Sequence, residues 1–269
     1  MTAAAAETRY PPEWLALREP ADAAARATDL LPPLLAALPA GPLVVRDLGC
    51  GTGAMGRWLS PRLPAPQHWV LHDRDPHLLG LAAASLRGSG VAVTPEQGDV
   101  TALRADDLAG TSLVTASALL DLLTAAEMDA LAAACAGAGC AALLTLSVAG
   151  RVELDPYDPL DDDVMAAFNE HQRRTVDGRR LLGPDAVAAA IRAFTVRGAN
   201  VRTQPSPWRL GPEQRGLTAE WLRGWVAAAV EQDRDLAPHT EDYLRRRLGT
   251  ATRVVVHHDD LLALPEVRA

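Results

Sequence analysis

The sequence predicts an α/β fold of three layers, a largely parallel, twisted sheet between helices, and three observations predict it. From Gly41 onward, short apolar runs alternate with alanine-rich helical stretches, the sequence form of repeated strand-helix units. A glycine-rich turn joins the first such run to the next helix, in VVRDLGCGTGAMGRWL from Val44 to Leu59. The length of 269 residues and an ordinary globular composition suit one substantial core with an appended element.

The elements follow in order. Residues 1–40 are expected to form a helical cap: after a Pro-Pro pair, residues 14–38 read as one or two helices whose apolar surface comes from Trp14, Leu15 and Leu17, then Leu30, Leu31, Leu34 and Leu35. Residues 41–269 form the main domain. Its strands are predicted at 42–48, 68–72, 92–94, 113–117 and 141–147, with helices between them. Thr124 followed by Glu127 is a capping-box pattern and starts the helix before the fifth strand. Regular alternation then lapses at about 150–185 into an acidic, Pro-containing connection with a predicted helix at 162–174, a candidate lid or substrate-binding insertion. A helix at 184–195, a strand at 200–204, one or two helices at 218–247 and a last strand at 252–257 complete the series.

Charge and composition exclude several functions. A formal net charge of -8 disfavours a protein that tracks along phosphate backbones, so nucleic acid is not expected as a partner. All 26 of the Lys+Arg residues are arginine, which removes chemistry that needs a lysine Schiff base or a phosphate-loop lysine. Cys50, Cys135 and Cys140 have neither zinc-site spacing nor an even number, and a reducing cytoplasm is the expected location. The opening MTAAAAETRY lacks the basic and apolar stretches of a leader, and no later segment offers the ~20 apolar residues that span a bilayer, so no membrane association is expected. Oligomeric state is not legible.

The chemistry concentrates at residues 47–53. Asp47 ends the first strand, where ligands bind in open parallel sheets, and Gly49, Gly51 and Gly53 let the backbone turn tightly and approach a ligand closely. Here the chain resembles the class I S-adenosylmethionine (SAM)-dependent methyltransferase family, whose first motif is an acidic residue followed by GxGxG. The match is Asp47-Leu48-Gly49-Cys50-Gly51-Thr52-Gly53. The resemblance implies a Rossmann-like methyltransferase fold with seven strands, the last antiparallel. It also implies that the loop, Cys50 included, cradles the methionine part of SAM, with Asp47 facing its amino end. The same residues allow a rival, since Gly51, Gly53 and Gly56 satisfy the dinucleotide fingerprint GxGxxG. Asp73, about twenty residues on, suits ribose hydroxyls in either reading, with Arg74 flanking the adenine.

Two further matches favour SAM. Gly98-Asp99-Val100 follows the third strand, where by resemblance an acidic side chain meets the adenine amino group and a backbone amide reads the ring. LVTASALLDLL, from Leu113 to Leu123, resembles the family's fourth motif, which places Ser117 and the following turn beside the sulfonium. The resemblance covers roughly residues 43 to 147.

On the reacting side, Asp121 is the first catalytic candidate, placed to orient or deprotonate an amine or hydroxyl. His171 is the second: on a helix, Val164, Phe168 and His171 share one face, and an imidazole there can serve as a base near neutral pH. The carboxylates Asp161, Asp162 and Asp163 suit the positive end of the helix that follows. In His257-His258-Asp259-Asp260 the two imidazoles would point to opposite faces of a strand, so no metal is expected. The expected function is SAM-dependent methylation of nitrogen or oxygen on a small molecule, leaving S-adenosylhomocysteine. The alternatives are a nicotinamide-dependent oxidoreductase and a SAM-binding module without transfer activity.

Overall fold

The computed structural model describes residues 10–250 and 253–266; residues 1–9 of the expected cap and Thr252, the expected start of the last strand, lie outside them. The chain opens with α1 (Pro12–Ala25), started by a proline whose fixed φ suits a first helical turn, and continues through a 3-10 turn into α2 (Leu31–Ala37). Strand β1 (Leu43–Leu48) then enters the sheet and α3 (Ala54–Leu59) leaves the glycine turn. Next come β2 (Gln67–Asp73), α4 (Pro76–Arg87), β3 (Ala92–Gln97), β4 (Leu113–Ser117) and α5 (Ala125–Ala138). The predicted capping box is present: Thr124 Oγ1 accepts from the Glu127 amide at 3.2 Å and Glu127 Oε2 accepts from the Thr124 amide at 2.8 Å.

The second half holds β5 (Ala141–Asp155), α6 (Leu160–Gln172), a small hairpin of β6 (Thr175–Val176) and β7 (Arg179–Arg180), and α7 (Ala186–Thr195). It closes with β8 (Asn200–Pro205), β9 (Trp208–Leu210), α8 (Arg215–Gln232), α9 (Ala237–Gly249) and β10 (Arg253–Leu264). The main sheet runs β3-β2-β1-β4-β5-β10-β8, with β9 also paired to β10. Strands β1 to β5 are parallel, and β10 is antiparallel to β5, β8 and β9. The fold is therefore the mostly parallel α/β sheet that was expected, with its last strand reversed.

Burial explains which strands sit where. The interior strands β1 and β4 are almost continuously buried, as sheets covered on both faces require. The edge strands β3 and β8 are largely exposed and polar, and each carries a proline, Pro95 or Pro205, which an edge tolerates. One face packs Leu131, Ala190 and Phe194 of α5 and α7 against Leu48, Val114 and Leu144. The other packs Leu34, Leu59, Leu79 and Leu86 against Val45 and Trp69. A third cluster, with Trp208, Leu222, Trp225, Tyr243 and Val254, lies where α6, α8 and α9 cover the extended half of β5 and β10.

Two strands are longer than expected. β5 runs eight residues past the predicted end at Ser147, and the β5/β10 ladder shifts register between Val256 and His258 and again between Asp259 and Leu261. Leu146, at φ +56°, sits in the second shift, its amide held by Asp260 Oδ1 at 2.7 Å.

Candidate functional site

The carboxyl ends of β1, β2 and β4 open into a cavity of about 550 Å³, roofed by α1 and continued between α6, β9 and α8. Open parallel sheets place ligands at this end of their strands. Asp47, Gly49, Cys50, Gly51, Asp73 and Arg74 line the first part of it, joined by Asp99, Val100, Ser117 and Asp121.

The glycine turn is held by backbone. Gly51 and Gly53 adopt φ of +53° and +86°, the left-handed region. A Cβ on Gly53 would stand 3.2 Å from the Ala82 backbone. Asp73 braces the same turn, since its Oδ2 accepts from the Gly51 amide at 2.8 Å while Oδ1 accepts from the Asp75 amide at 2.9 Å.

Asp47 is the most perturbed acid of the loop. It is 1% exposed, and its Oδ1 accepts from Thr115 Oγ1 at 2.7 Å, while Oδ2 has no partner. Burial pushes its pKa up to about 7, against the lowering effects of Thr115 and Arg26 and with a further rise from Asp73. A cationic ligand group at Oδ2 would supply what the protein withholds. SAM fits on these grounds: an unpartnered buried carboxylate oxygen for the ammonium, a loop without side chains for the methionine, and the Asp73 carboxylate beyond it.

Asp99 is exposed and caps the turn at Val100–Ala102, accepting from the Thr101 amide at 2.9 Å and hydroxyl at 2.8 Å, with Val100 facing the cavity. Ser117 Oγ accepts from Thr145 Oγ1 at 3.1 Å and from Arg26 Nη2 at 3.2 Å. The residue after it, Ala118, has φ +51°, so the chain leaves β4 under strain. Asp121 follows on the Leu120–Leu122 turn and lines the cavity. Burial raises its pKa, opposed by its own backbone hydrogen bond and by the charges of Arg18 and Arg174.

Another part of the lining is aromatic and basic. Trp14, Phe168, Trp208 and Trp221 face the cavity together with Arg18 and Arg174. Arg18 is fixed by Asp22 at 2.9 Å and lies 4.9 Å from the Trp208 ring centroid, while Trp208 Nε1 donates to Asp22 Oδ1 at 2.9 Å. His171 does not join them. Its helix face is shared by Val164 and Phe168 as expected, but the imidazole turns to α8, where Nε2 meets Glu231 Oε2 at 3.0 Å, and it is absent from the cavity lining. One turn of helix back, Phe168 lines the cavity.

Sequence reasoning missed Arg26 and Trp208, whose partners lie 91 and 186 residues away. It also missed Arg179, which grips the capping Glu127 at 2.7 Å and ties the β6–β7 hairpin to α5. His257 pairs with Glu153 at 3.0 Å, whereas His258 is buried against Trp208, its pKa pushed down to about 3 chiefly by burial. Among the described residues no group of three or more His, Cys, Asp or Glu could hold a metal ion, and no helix is long and apolar enough to cross a membrane.

Residues 45–138 match the family model of a methyltransferase domain. Among solved structures, the YcgJ protein of Bacillus subtilis is 15% identical, with 89% of this chain and 100% of that chain covered at a TM-score of 0.51. A phosphoethanolamine N-methyltransferase 2 of Haemonchus contortus, solved with phosphomonomethylethanolamine and S-adenosylhomocysteine, is 13% identical over 97% of this chain and 59% of its own, at a TM-score of 0.50. A SAM-dependent methyltransferase of Geobacter sulfurreducens in complex with S-adenosylhomocysteine is 17% identical over 95% and 99%, at a TM-score of 0.46. No curated protein matches the chain. The residues matched to the methyltransferase domain include the glycine turn. Gly56, which completed the rival fingerprint, packs α3 on α4, where a Cβ would come within 2.5 Å of Leu86.

Proposed function

We propose that this S-adenosylmethionine-dependent methyltransferase transfers a methyl group to a nitrogen or oxygen of a small-molecule metabolite, with Asp121 as the group that orients the acceptor or takes its proton. The observation that carries the reading is the shape of the cavity. One space of about 550 Å³ is lined by the glycine turn, by Trp14, Trp208 and Trp221, and by Asp121. That volume suits a cofactor with a small acceptor. Bound SAM supplies an electrophilic methyl group on a sulfonium centre.

The chain's own task is alignment and exclusion of water. Asp47 Oδ2 would hold the ammonium and Asp73 the ribose, with Asp99 and Val100 at the adenine. The aromatic wall would keep water from the acceptor. Its carboxyl pKa raised by burial, Asp121 is better suited to accept a proton than an ordinary aspartate. An acceptor amine or hydroxyl at this carboxylate would shed its proton as the new bond to carbon forms. Nothing in this arrangement requires a metal.

Transfer of labelled methyl groups from SAM to a fractionated cell extract tests the reading. Label is expected in the low-mass fraction. Label confined to protein or nucleic acid would overturn the small-molecule assignment, and tight SAM binding without transfer to any fraction would leave a binding module. With an acceptor in hand, Asp121→Asn is expected to lower turnover by roughly 100-fold or more while SAM affinity stays within about 2-fold. Unchanged turnover would remove Asp121 from the reaction.

A further inference from the structure

Of the arginines that line the cavity, Arg18, Arg151 and Arg179 each hold a carboxylate: Asp22 at 2.9 Å, Glu153, and Glu127 at 2.7 Å. Arg174 lines the same space and forms no ion pair among the described residues. It is half-buried in the connection that follows α6, and its Nη1 donates to the His171 carbonyl at 3.0 Å, the ordinary service of a cation at a helix carboxyl end. Nε and Nη2 make no hydrogen bond among the described residues. The N–H bonds on that edge are parallel, and by it a guanidinium grips a carboxylate or phosphate with two bonds, as Arg18 grips Asp22. One cation in the cavity therefore keeps its two-bond edge unspent.

The aromatic lining adds a second, independent observation. The chain has only six tryptophans and two phenylalanines, yet Trp14, Trp208, Trp221 and Phe168 all line this cavity. Two of these rings are held in place: Trp221 stacks on buried Trp225 with centroids 5.1 Å apart, and Trp208 donates to Asp22. Fixed flat surfaces of this kind suit a planar guest. An aromatic wall can also receive a cation, but Arg18 already stands at the Trp208 ring, and the charge of Arg174 opposes a second one. That charge also reaches Asp121, whose pKa it lowers without an ion pair between them, so a guest held at Arg174 shares its space with Asp121.

We propose that the methyl acceptor is an aromatic anion, a planar ring set against the tryptophans whose carboxylate or phosphate group is held by the Nε–Nη2 edge of Arg174. The assignment rests on the reading above, with SAM at the glycine turn, and narrows its substrate class. The anionic group is a handle and takes no part in the bond changes. A hydroxyl or amine elsewhere on the acceptor attacks: the bond from the methyl carbon to sulfur breaks as the bond to oxygen or nitrogen forms, and the acceptor's proton passes to Asp121.

Calorimetry on the full chain saturated with S-adenosylhomocysteine tests it, using the carboxylate, phosphate, amide and aminomethyl derivatives of benzene and of naphthalene as matched probes. On the ring that fits, an anionic probe is expected to bind about 10- to 100-fold more tightly than the neutral amide, the value of a charge-assisted pair, and the aminomethyl cation most weakly. Tighter binding of the carboxylate identifies an acid and tighter binding of the phosphate a phosphate ester, and either supports the proposal. Arg174→Gln should erase the preference while leaving the affinities for the amide and for S-adenosylhomocysteine within about 2-fold, and Arg174→Lys should recover part of it. Amide or cation binding as tight as the anions, no binding of either anion, or a preference that survives in Arg174→Gln would each overturn the proposal. Should the variants fail to fold, the wild-type comparison of anion with amide still decides. Failure of the wild type to bind S-adenosylhomocysteine would instead sink the SAM reading.

Discussion

Asp47 carries the clearest pH dependence. Burial raises its folded-state pKa to about 7, well above that of an ordinary aspartate, so between the two the folded chain holds a proton that the unfolded chain has released. Stability from this group is therefore greatest at low pH and is lost as pH rises through that window. Cofactor binding has the opposite sign, because an ammonium at Oδ2 favours the ionised carboxylate. SAM affinity is expected to rise with pH from 6 to 8 and to fall by up to about 10-fold per unit below 7. Asp47→Asn should flatten that dependence in calorimetry at a series of pH values, and an equally steep profile in the variant would reject the assignment. That Asp47, Asp73, Ser117 and Asp121 line one cavity was legible because each stands near the carboxyl end of a strand or in the turn after it, so a short local pattern marks it. Arg26 was not legible, since a lone arginine at a helix end is ordinarily solvated and only the tertiary fold turns this one inward. His171 meets Glu231 of α8 at 3.0 Å and does not line the cavity, a contact that no local pattern in α6 announces.

At the scale of elements, the strands around the glycine turn were legible to within a few residues, because interior parallel strands are short apolar runs bounded by turns. β5 was not. Its apolar run ends at Ser147, and what prolongs it to Asp155 is its partner β10, whose pairing lies about a hundred residues away in sequence. The bulge between them depends on Asp260, 1% exposed, which accepts from the Leu146 amide at 2.7 Å, Ser206 Oγ at 2.6 Å and the Ala27 amide at 2.8 Å. One side chain thus joins β5, the β8–β9 connection and the segment after α1. Asp260→Ala is expected to cost about 3 kcal/mol or more, because it strands several buried donors at once. Urea unfolding measures the loss. Asp260→Ser, with an oxygen but a shorter reach, should recover little, and a loss under about 1 kcal/mol in the alanine variant would show that water replaces the carboxylate there.

Over the whole molecule, two hydrophobic clusters sandwich the sheet and a third stands apart beneath α6, α8 and α9. The sequence pointed to an acceptor-side insertion at about 150–185. The cavity lining does include residues of that segment, among them Val152, Phe168, Gln172 and Arg174, and it also draws on α1, β9 and α8, whose patterns do not mark them as cavity wall until the extended β5–β10 ribbon gathers them. The acidic run shows the same limit. Asp162 and Asp163 lie exposed in the first turn of α6, as helix-end charges should, but Asp161 is buried, paired with Arg247 and accepting from Tyr243 Oη at 2.6 Å. That pair ties α6 to α9, and breaking a buried pair from one side costs about 3–5 kcal/mol, whereas replacing both partners with apolar groups is often neutral. Asp161→Ala is therefore expected to destabilise the chain by about that amount, and the Asp161→Leu/Arg247→Met double variant to regain most of it. Because the third cluster is separate, hydrogen exchange in Asp161→Ala should quicken first in α6, α8 and α9 while the amides of β1, β2 and β4 keep their protection. Uniform quickening through the central strands would mean that the helical layer and the sheet unfold as one unit, so that α6, α8 and α9 could not open over the acceptor space independently of the cofactor site.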